Sequence, residues 1–456
     1  MNRELSANSN NGEIMKSILK IILAVVFLSI STPAFSQGED PANGMALPDS
    51  LTLDASIQKA LQSNPDILQA AHSIDVYKTG VEVSKSSYYP DASADLTYAR
   101  LGPKSSISFG GAGFQLYPLN AWDEHVGVEG TIYDFDKRSK SVDLSASQVT
   151  TAEDRLELAK SGLSYRTIQT FYAILFLERS IQVQNEEIKN LNDHLLMTQK
   201  KVQAGTATDF DVLTTQVRVA AAQNAKINLE NNLENTKVVF RRLLGLAPDS
   251  PVDLSGDFVE QPVVLNTDSL VSQALTNRVE MKVADDQLNS AHMQYEVASA
   301  TNNPKLNGSL MWGLKNGLFP NQDALRGNFV AGVQLAIPLF DGFREKNLKE
   351  QANAGIRVSE DNKSGVAEQI KSDVQKGISD VRSSLDRLRT TEITVEQAKS
   401  AVQQARLRYQ AGTVTNLDLL DAETSLSQAE LMQIQALYQF VVSRYELDQA
   451  VGTKVW

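Results

Sequence analysis

With 456 residues and a formal net charge of −12, the chain has room for two or three domains and lacks the clustered Lys and Arg that a nucleic-acid surface requires. It contains no cysteine, which removes disulfides, thiolate metal sites, cysteine nucleophiles and a lipid anchor on an N-terminal Cys. The four histidines, His72, His125, His194 and His292, are scattered without H-E-x-x-H spacing or a phosphate loop, so each reads as an isolated surface residue, and the chain as no enzyme and without cofactor or metal.

In chain order, the first element is a targeting segment. Lys16 and Lys20 precede an apolar run over residues 21–30, then Pro33 and the small-x-small stretch at residues 34–36. The run is short for a membrane span of ~20 residues, so residues 1–36 are expected to be a signal peptide cleaved after Ser36. Met15 stands directly before it, which makes residues 1–14 an over-extended start, and residues 37–50 read as a linker. No later segment approaches a transmembrane helix, so an exported mature chain could enter a membrane only as a β-barrel.

The rest is one unit written twice. "QAGTATDFDVL" at 203–213 returns as "QAGTVTNLDLL" at 410–420, and Gly412 lies 207 positions after Gly205. The same offset sets "YDFDK" at 133–137 against "FDGFR" at 340–344. Upstream the offset is 214, pairing Asp66 with Glu280 and Pro90 with Pro304, so one short loop insertion separates the two registers. Ordered matches at near-constant spacing define a first repeat over 51–266 and a second over 267–456.

Each repeat opens with a helical stretch, 51–88 and then 268–300, the first broken by Pro65. Alternating segments follow. In the second repeat Phe329, Ala331, Val333, Leu335 and Ile337 alternate with Asn328, Val330, Gly332, Gln334 and Ala336, and a partner alternates Leu306, Gly308, Leu310 and Trp312. Period two marks strands with two different faces. In the first repeat the strands fall at 91–100 and 125–133, joined by a link containing "FGGAGF" that reads as a loop. It is not a phosphate cradle, because no Lys-Ser/Thr follows it.

A long helix then runs over 136–204 and again over 343–411. Val381, Leu385, Leu388, Val395, Ala398, Val402, Ala405 and Tyr409 hold heptad spacing in the second, and Ile188, Leu191, Leu195 and Val202 form the seam of the first. Seventy helical residues would extend about 100 Å. Return helices follow at 209–244 and 416–451, with Ile434, Leu437, Val441 and Tyr445 on the last seam.

The repeated phrase is the turn between the long helix and its return. Gly205 and Gly412 suit the left-handed position that stops a helix, and Thr208 with Asp211, like Thr415 with Asp418, spells a capping box. Capping does not account for Asp421. It sits one turn after Asp418 on the same face, where the first copy has Thr214, and it reads either as half of an acidic pair or as part of a solvated face. Four strands per chain cannot close a barrel, and open edges are not viable in a bilayer, so the chain must oligomerise: two copies supply about eight strands and three about twelve.

At this point residues 51–453 resemble the TolC-like outer membrane efflux protein family. The resemblance rests on the duplicated helix–strand–strand–helix order, on "YPDASADLTY" leading into the first strand, on "AIPLFDGFRE" leading into the long helix, and on "RYQAGTVTNLDLLDAE" at the second tip. It implies a mixed α and β fold, in which antiparallel coiled-coil hairpins form an α-barrel and the strands complete a twelve-stranded transmembrane β-barrel as a homotrimer. The implied function is an outer-membrane channel of a tripartite efflux or type I secretion system, with a large periplasmic portion. Its implied partners are a periplasmic adaptor (membrane fusion) protein, an inner-membrane transporter and outer-membrane lipid. Many relatives carry a lipidated Cys that is missing here, and tip sequences vary with the pump partner, which leaves the partner open.

Carried over by that resemblance, Asp418 and Asp421 match an acidic ring at the periplasmic entrance. Tyr409 matches a tip tyrosine that hydrogen-bonds the neighbouring hairpin in the closed state, with Asp211 as its acceptor; by spacing it also fits plain heptad packing. Gly205, Thr206, Gly412 and Thr413 match tip positions that meet the adaptor. The rival reading is a non-conducting periplasmic coiled-coil scaffold, against which the strands and the targeting segment count. The cargo, whether drug, metal ion or polypeptide, is not written in the sequence.

Overall fold

The structure, a computed structural model, describes residues 50–103, 106–109, 112–259, 265–319 and 321–455, and the expected signal peptide lies outside them. Helices α1 (Leu53–Ser63) and α2 (Pro65–Ser86) lead into strands β1 (Asp91–Arg100), β2 (Ser106–Phe109), β3 (Ala112–Gln115) and β4 (Asn120–Tyr133). Helices α3 (Lys137–Gln203) and α4 (Asp209–Leu243) follow as a hairpin. The order then recurs: α5 (Thr267–Asn277), α6 (Val279–Ser299), β5 (Lys305–Lys315), β6 (Arg326–Ala336), and the hairpin of α7 (Arg344–Gln410) and α8 (Asn416–Val451).

Two of the expected elements need correction. The glycine-rich link of the first repeat is not a plain loop: β2 and β3 pair as an antiparallel ribbon, Ser106 opposite Gln115 and Phe109 opposite Ala112. The stretch 268–300 is not one helix. It breaks at Arg278, whose extended backbone (ψ 131°) ends α5 and starts α6 without any proline. The Arg278 guanidinium donates to Glu280 at 2.7 Å and to Asp373 of α7 at 2.7 Å, so the break brings a half-buried cation to two carboxylates.

The four longer strands form one antiparallel sheet in the order β1-β4-β5-β6. Its register sorts the side chains onto two unlike faces. Ala94, Val126, Trp312 and Phe329 oppose one another across the four strands, and so do Ala92, Val128, Leu310 and Ala331. The other face carries the rows Asp95, His125, Gly313, Asn328 and Asp91, Glu129, Ser309, Gly332. Directly opposed residues share a face, so one side of the sheet is mainly apolar, with Glu124 between Leu96 and Leu314 as an exception, and the other mainly polar, with Met311 opposite Val330 as an exception. The apolar side is uncovered, with Trp312 and Phe329 among the exposed side chains. Gly313 is required on the polar side, since a Cβ there would run into the Glu124 carbonyl and the His125 ring.

Left-handed turns join the sheet to the long helices. Phe135 and Asp136 (φ 52° and 70°) precede α3, and Gly342 and Phe343 (φ 70° and 65°) precede α7. The Asp134 carboxylate accepts from the Arg138 N–H at 3.1 Å, and Asp341 accepts from the N–H groups of Arg344 and Glu345, which satisfies otherwise orphaned donors of each first turn.

Both long helices have 67 residues, close to 100 Å of rise. Along α7, Val381, Leu388, Val395, Val402 and Tyr409 are buried once every seven residues. Ser384, not the expected Leu385, takes the intervening buried place and meets Ser443 of α8 at 2.9 Å. On α3 the seam near the tip is Leu191, His194 and Thr198, with Leu195 and Val202 only half-buried. Aromatic pairs tie α3 to both return helices, Phe171 to Phe240 of α4 and Tyr172 to Tyr445 of α8. Among the described residues no helix is long and apolar enough to cross a membrane.

Candidate functional site at the hairpin tips

The two tips have nearly superposable hydrogen bonding. Gly205 and Gly412 take φ of 71° and 70°, a left-handed conformation that a Cβ disfavours. In the first tip the Gly205 N–H donates to the Val202 carbonyl and the Thr206 N–H to that of Lys201, each at 2.9 Å. In the second, Gly412 donates to Tyr409 and Thr413 to Arg408, at 3.2 and 2.9 Å. The hydroxyls of Thr206 and Thr413 donate to the same Lys201 and Arg408 carbonyls, which accounts for threonine after each glycine. Both capping boxes form: Thr208 with Asp211, and Thr415 with Asp418.

What surrounds the tips is not alike. Asn416, the first residue of α8, sits between the hairpins. Its amide donates to the Asp211 carbonyl at 3.3 Å and reaches the Thr215 hydroxyl at 3.4 Å, both on α4. Its carbonyl oxygen faces His194 Nε2 of α3 at 2.6 Å. Since the amide nitrogen is used toward α4, the oxygen must accept, so His194 carries its proton on Nε2. His194 is therefore no surface residue; it is 4% exposed, and its ring lies 5.2 Å from that of Tyr409. The Lys201 ammonium stands 3.7 Å from the Tyr409 ring centre and donates to the Tyr409 carbonyl at 3.2 Å. Leu420 of α8 completes the joint in a small core with Leu191, Val219 and Ala222.

Sequence reasoning missed His194, Asn416 and Lys201. A signal was present: Leu191, His194 and Thr198 continue the seam in steps of three and four, a phase that puts an imidazole inside.

Tyr409 and Asp211 do not pair within the protomer. Among the described residues no hydrogen bond joins them; the Asp211 carboxylate instead accepts from the Thr208 N–H and hydroxyl at 2.9 and 2.8 Å. Asp418 is bound likewise by the Thr415 hydroxyl and N–H, at 2.7 and 2.8 Å, and those bonds, hydroxyl first, hold its carboxyl below the ordinary range. Asp421 accepts from Arg218 Nη2 of α4 at 2.8 Å, an ion pair running from one hairpin to the other. Behind these exposed acids, Glu423 is buried and takes a bond from Arg406 at 2.9 Å, and Ser427 of α8 donates to Glu187 of α3 at 2.6 Å.

Known proteins resemble the chain along most of its length. The model of a family described as "Outer membrane efflux protein" matches residues 56–246 and 270–453. The chain is 23% identical over 410 residues to the outer membrane protein TolC of Vibrio cholerae, covering 87% of this chain and 89% of that one. It is 23% identical over 456 residues to the pyoverdine export outer membrane protein OpmQ of Pseudomonas putida, covering 93% and 92%. Among solved structures, the outer membrane protein VceC of Vibrio cholerae superposes with a TM-score of 0.73 at 19% identity, over 88% of this chain and 96% of that one. The Campylobacter jejuni CmeC outer membrane channel gives 0.76 at 15% identity, over 88% and 85%.

Proposed function

Because the chain belongs to the outer membrane efflux protein family, we propose that it works as a homotrimer, a conduit through which an inner-membrane pump and a periplasmic adaptor discharge substrates across the outer membrane. The observation that carries this reading is the two-faced sheet. An apolar face ending in exposed Trp312 and Phe329 suits lipid, and a face with Asp91, Asp95, His125 and Glu129 suits a water-filled lumen. The sheet has free edges at β1 and β6, and bilayers do not tolerate free edges. Three copies would join β6 of one protomer to β1 of the next and close about twelve strands. The two helical hairpins of each copy would then continue the wall into the periplasm, and the exposed row Phe210, Leu213 and Val217 on α4 would be covered by the neighbouring protomer.

The tips would form the periplasmic entrance. Asp418 and Asp421 from three copies would ring it with carboxylates, attracting cations at neutral pH. Gly205, Thr206, Gly412 and Thr413 would present the turn backbones to the adaptor. Tyr409, which packs on His194 inside the protomer, would stand where it could also meet the next hairpin, with Asp211 of that hairpin as acceptor. The family match to channels of this kind supports the export function, and the two-faced sheet supports closure. Mass measurement of the detergent-solubilised mature chain tests the assembly: the expected particle contains three chains, and a monomer that still conducts ions would overturn it.

A further inference from the structure

The repeats diverge at two positions that meet each other. The first copy has Thr214 where the second has Asp421, and the second has Ser425 where the first has Arg218. An acid was placed in one tip and a base in the other, and the fold brings them to 2.8 Å across the gap between hairpins. Neither side chain is buried; 38% of Arg218 and 57% of Asp421 remain exposed. Ion pairs so exposed contribute little to stability, too little to fasten two hairpins of this length together. The fastening is already supplied by buried groups, His194 with Asn416 and Leu420 in its core. The exposed pair therefore needs a different account, and charge provides one.

We propose that Arg218 is a specificity-determining residue of the entrance: it cancels Asp421 within each protomer, so the resting ring presents Asp418 as its uncompensated acid. This rests on the reading of the tips as a channel entrance. The other charged groups nearby, Lys200, Lys201, Asp209, Asp211, Arg408 and the Arg406–Glu423 pair, are the same in every variant below, so differences isolate the pair. Counting Arg218, Asp418 and Asp421, each protomer brings one net negative charge in the native chain, two in Arg218→Gln, none in Asp421→Asn and one in the double variant. Movement that draws α8 away from α4 releases Asp421 from its countercharge, and the entrance becomes more acidic as the hairpins part.

The test is single-channel recording of the full mature chain in planar bilayers, with hexaamminecobalt(III) added on the periplasmic side as the blocking probe. The expected order of block affinity is Arg218→Gln tightest, native and double variant equal, and Asp421→Asn weakest. Each step should be about three- to tenfold, because three unscreened charges act on a trivalent ion well within a Debye length. Arg218→Gln equal to native, with Asp421→Asn and the double variant equally weak, would overturn the role of Arg218 and leave the entrance reading intact. Identical block in the native chain and all three variants, or no channels from any of them, would instead overturn the entrance reading and this inference with it.

Discussion

Leu213 in the first tip is 59% exposed, while Leu420, the same position of the repeat in the second, is 0% exposed. Asp209 stands in solvent where its counterpart Asn416 is buried against His194. Yet both tips carry the same glycine turn and the same capping box. The turn is a local code of Gly, Thr and Asp, and it yields the same backbone wherever it is written. Burial follows what lies beside each hairpin. α8 is inserted between α7 and the first hairpin, and α4 stands at the margin of the protomer with apolar side chains uncovered.

The largest expected effect is on packing. Leu420→Ala should destabilise by about 2–5 kcal/mol through lost burial and a cavity, whereas Leu213→Ala should change an isolated protomer by about 0.5 kcal/mol or less. Denaturant unfolding of the solubilised protein compares them. An equal loss at both positions would mean that α4 is as enclosed as α8, as happens if neighbouring protomers stay associated through unfolding, and dilution would separate that case.

The polar joint should come next. Asn416→Leu removes the oxygen that His194 Nε2 faces at 2.6 Å, a cost of about 1–3 kcal/mol, while the Asp211 carbonyl keeps the hydroxyls of Thr214 and Thr215. Asp209→Leu at the matching exposed position should stay within about 0.5 kcal/mol. Hydrogen exchange at the amides of α3 and α4 near the tip reads the difference, and equal protection in the two variants would contradict the buried joint.

A tryptophan at either turn glycine has open space for its side chain, since nothing lies within 4 Å of the added Cβ. The cost is then backbone strain at positive φ, about 1–2 kcal/mol, and it should be the same at Gly205 and Gly412. Both variants should assemble and reach the membrane normally. Gly412→Trp should nonetheless lose export in cells that depend on this chain, because the bulk obstructs the adaptor. Persistent export would remove this tip from the adaptor contact.

These contrasts also mark how much could be read in advance. The long helices, the strands with two faces and both tip turns follow from periodicity and from one phrase written twice, because each depends on neighbours in sequence. The break at Arg278 did not show, since no proline marks it and one of its side-chain partners, Asp373, lies about a hundred residues away. The β2–β3 ribbon was hidden by glycines that read equally as loop. His194 was misread as surface because its partner, Asn416, lies in the other repeat. Arg218 and Asp421 could have been paired only by asking where the two copies disagree.

A smaller effect tests the second cap by pH. The hydrogen bonds from Thr415 lower the Asp418 pKa in the folded chain, so their stabilisation is complete above the ordinary carboxylate value of 3.8 and is lost as pH falls through the lowered value. Amide protection in the first turn of α8, corrected for intrinsic exchange, should therefore fall only below about pH 4, and Thr415→Val, which removes the hydroxyl but keeps the backbone N–H, should shrink that step. A step near neutrality would point to a group other than Asp418.

The most direct test of the account is whether the carboxylates of the second tip, rather than the carboxylate of the first, set the ionic selectivity of the channel. Asp418→Asn with Asp421→Asn should reduce both cation selectivity and block by multivalent cations in planar bilayers. Asn at 418 retains a cap acceptor, so the loss could not be assigned to a frayed helix. Asp211→Asn in the first tip should change selectivity less, since Thr214 leaves that tip without a second carboxylate. Unchanged selectivity and block in the double variant, or an equal loss in Asp211→Asn, would contradict the account and return Asp418 and Asp421 to a helix cap and a surface ion pair.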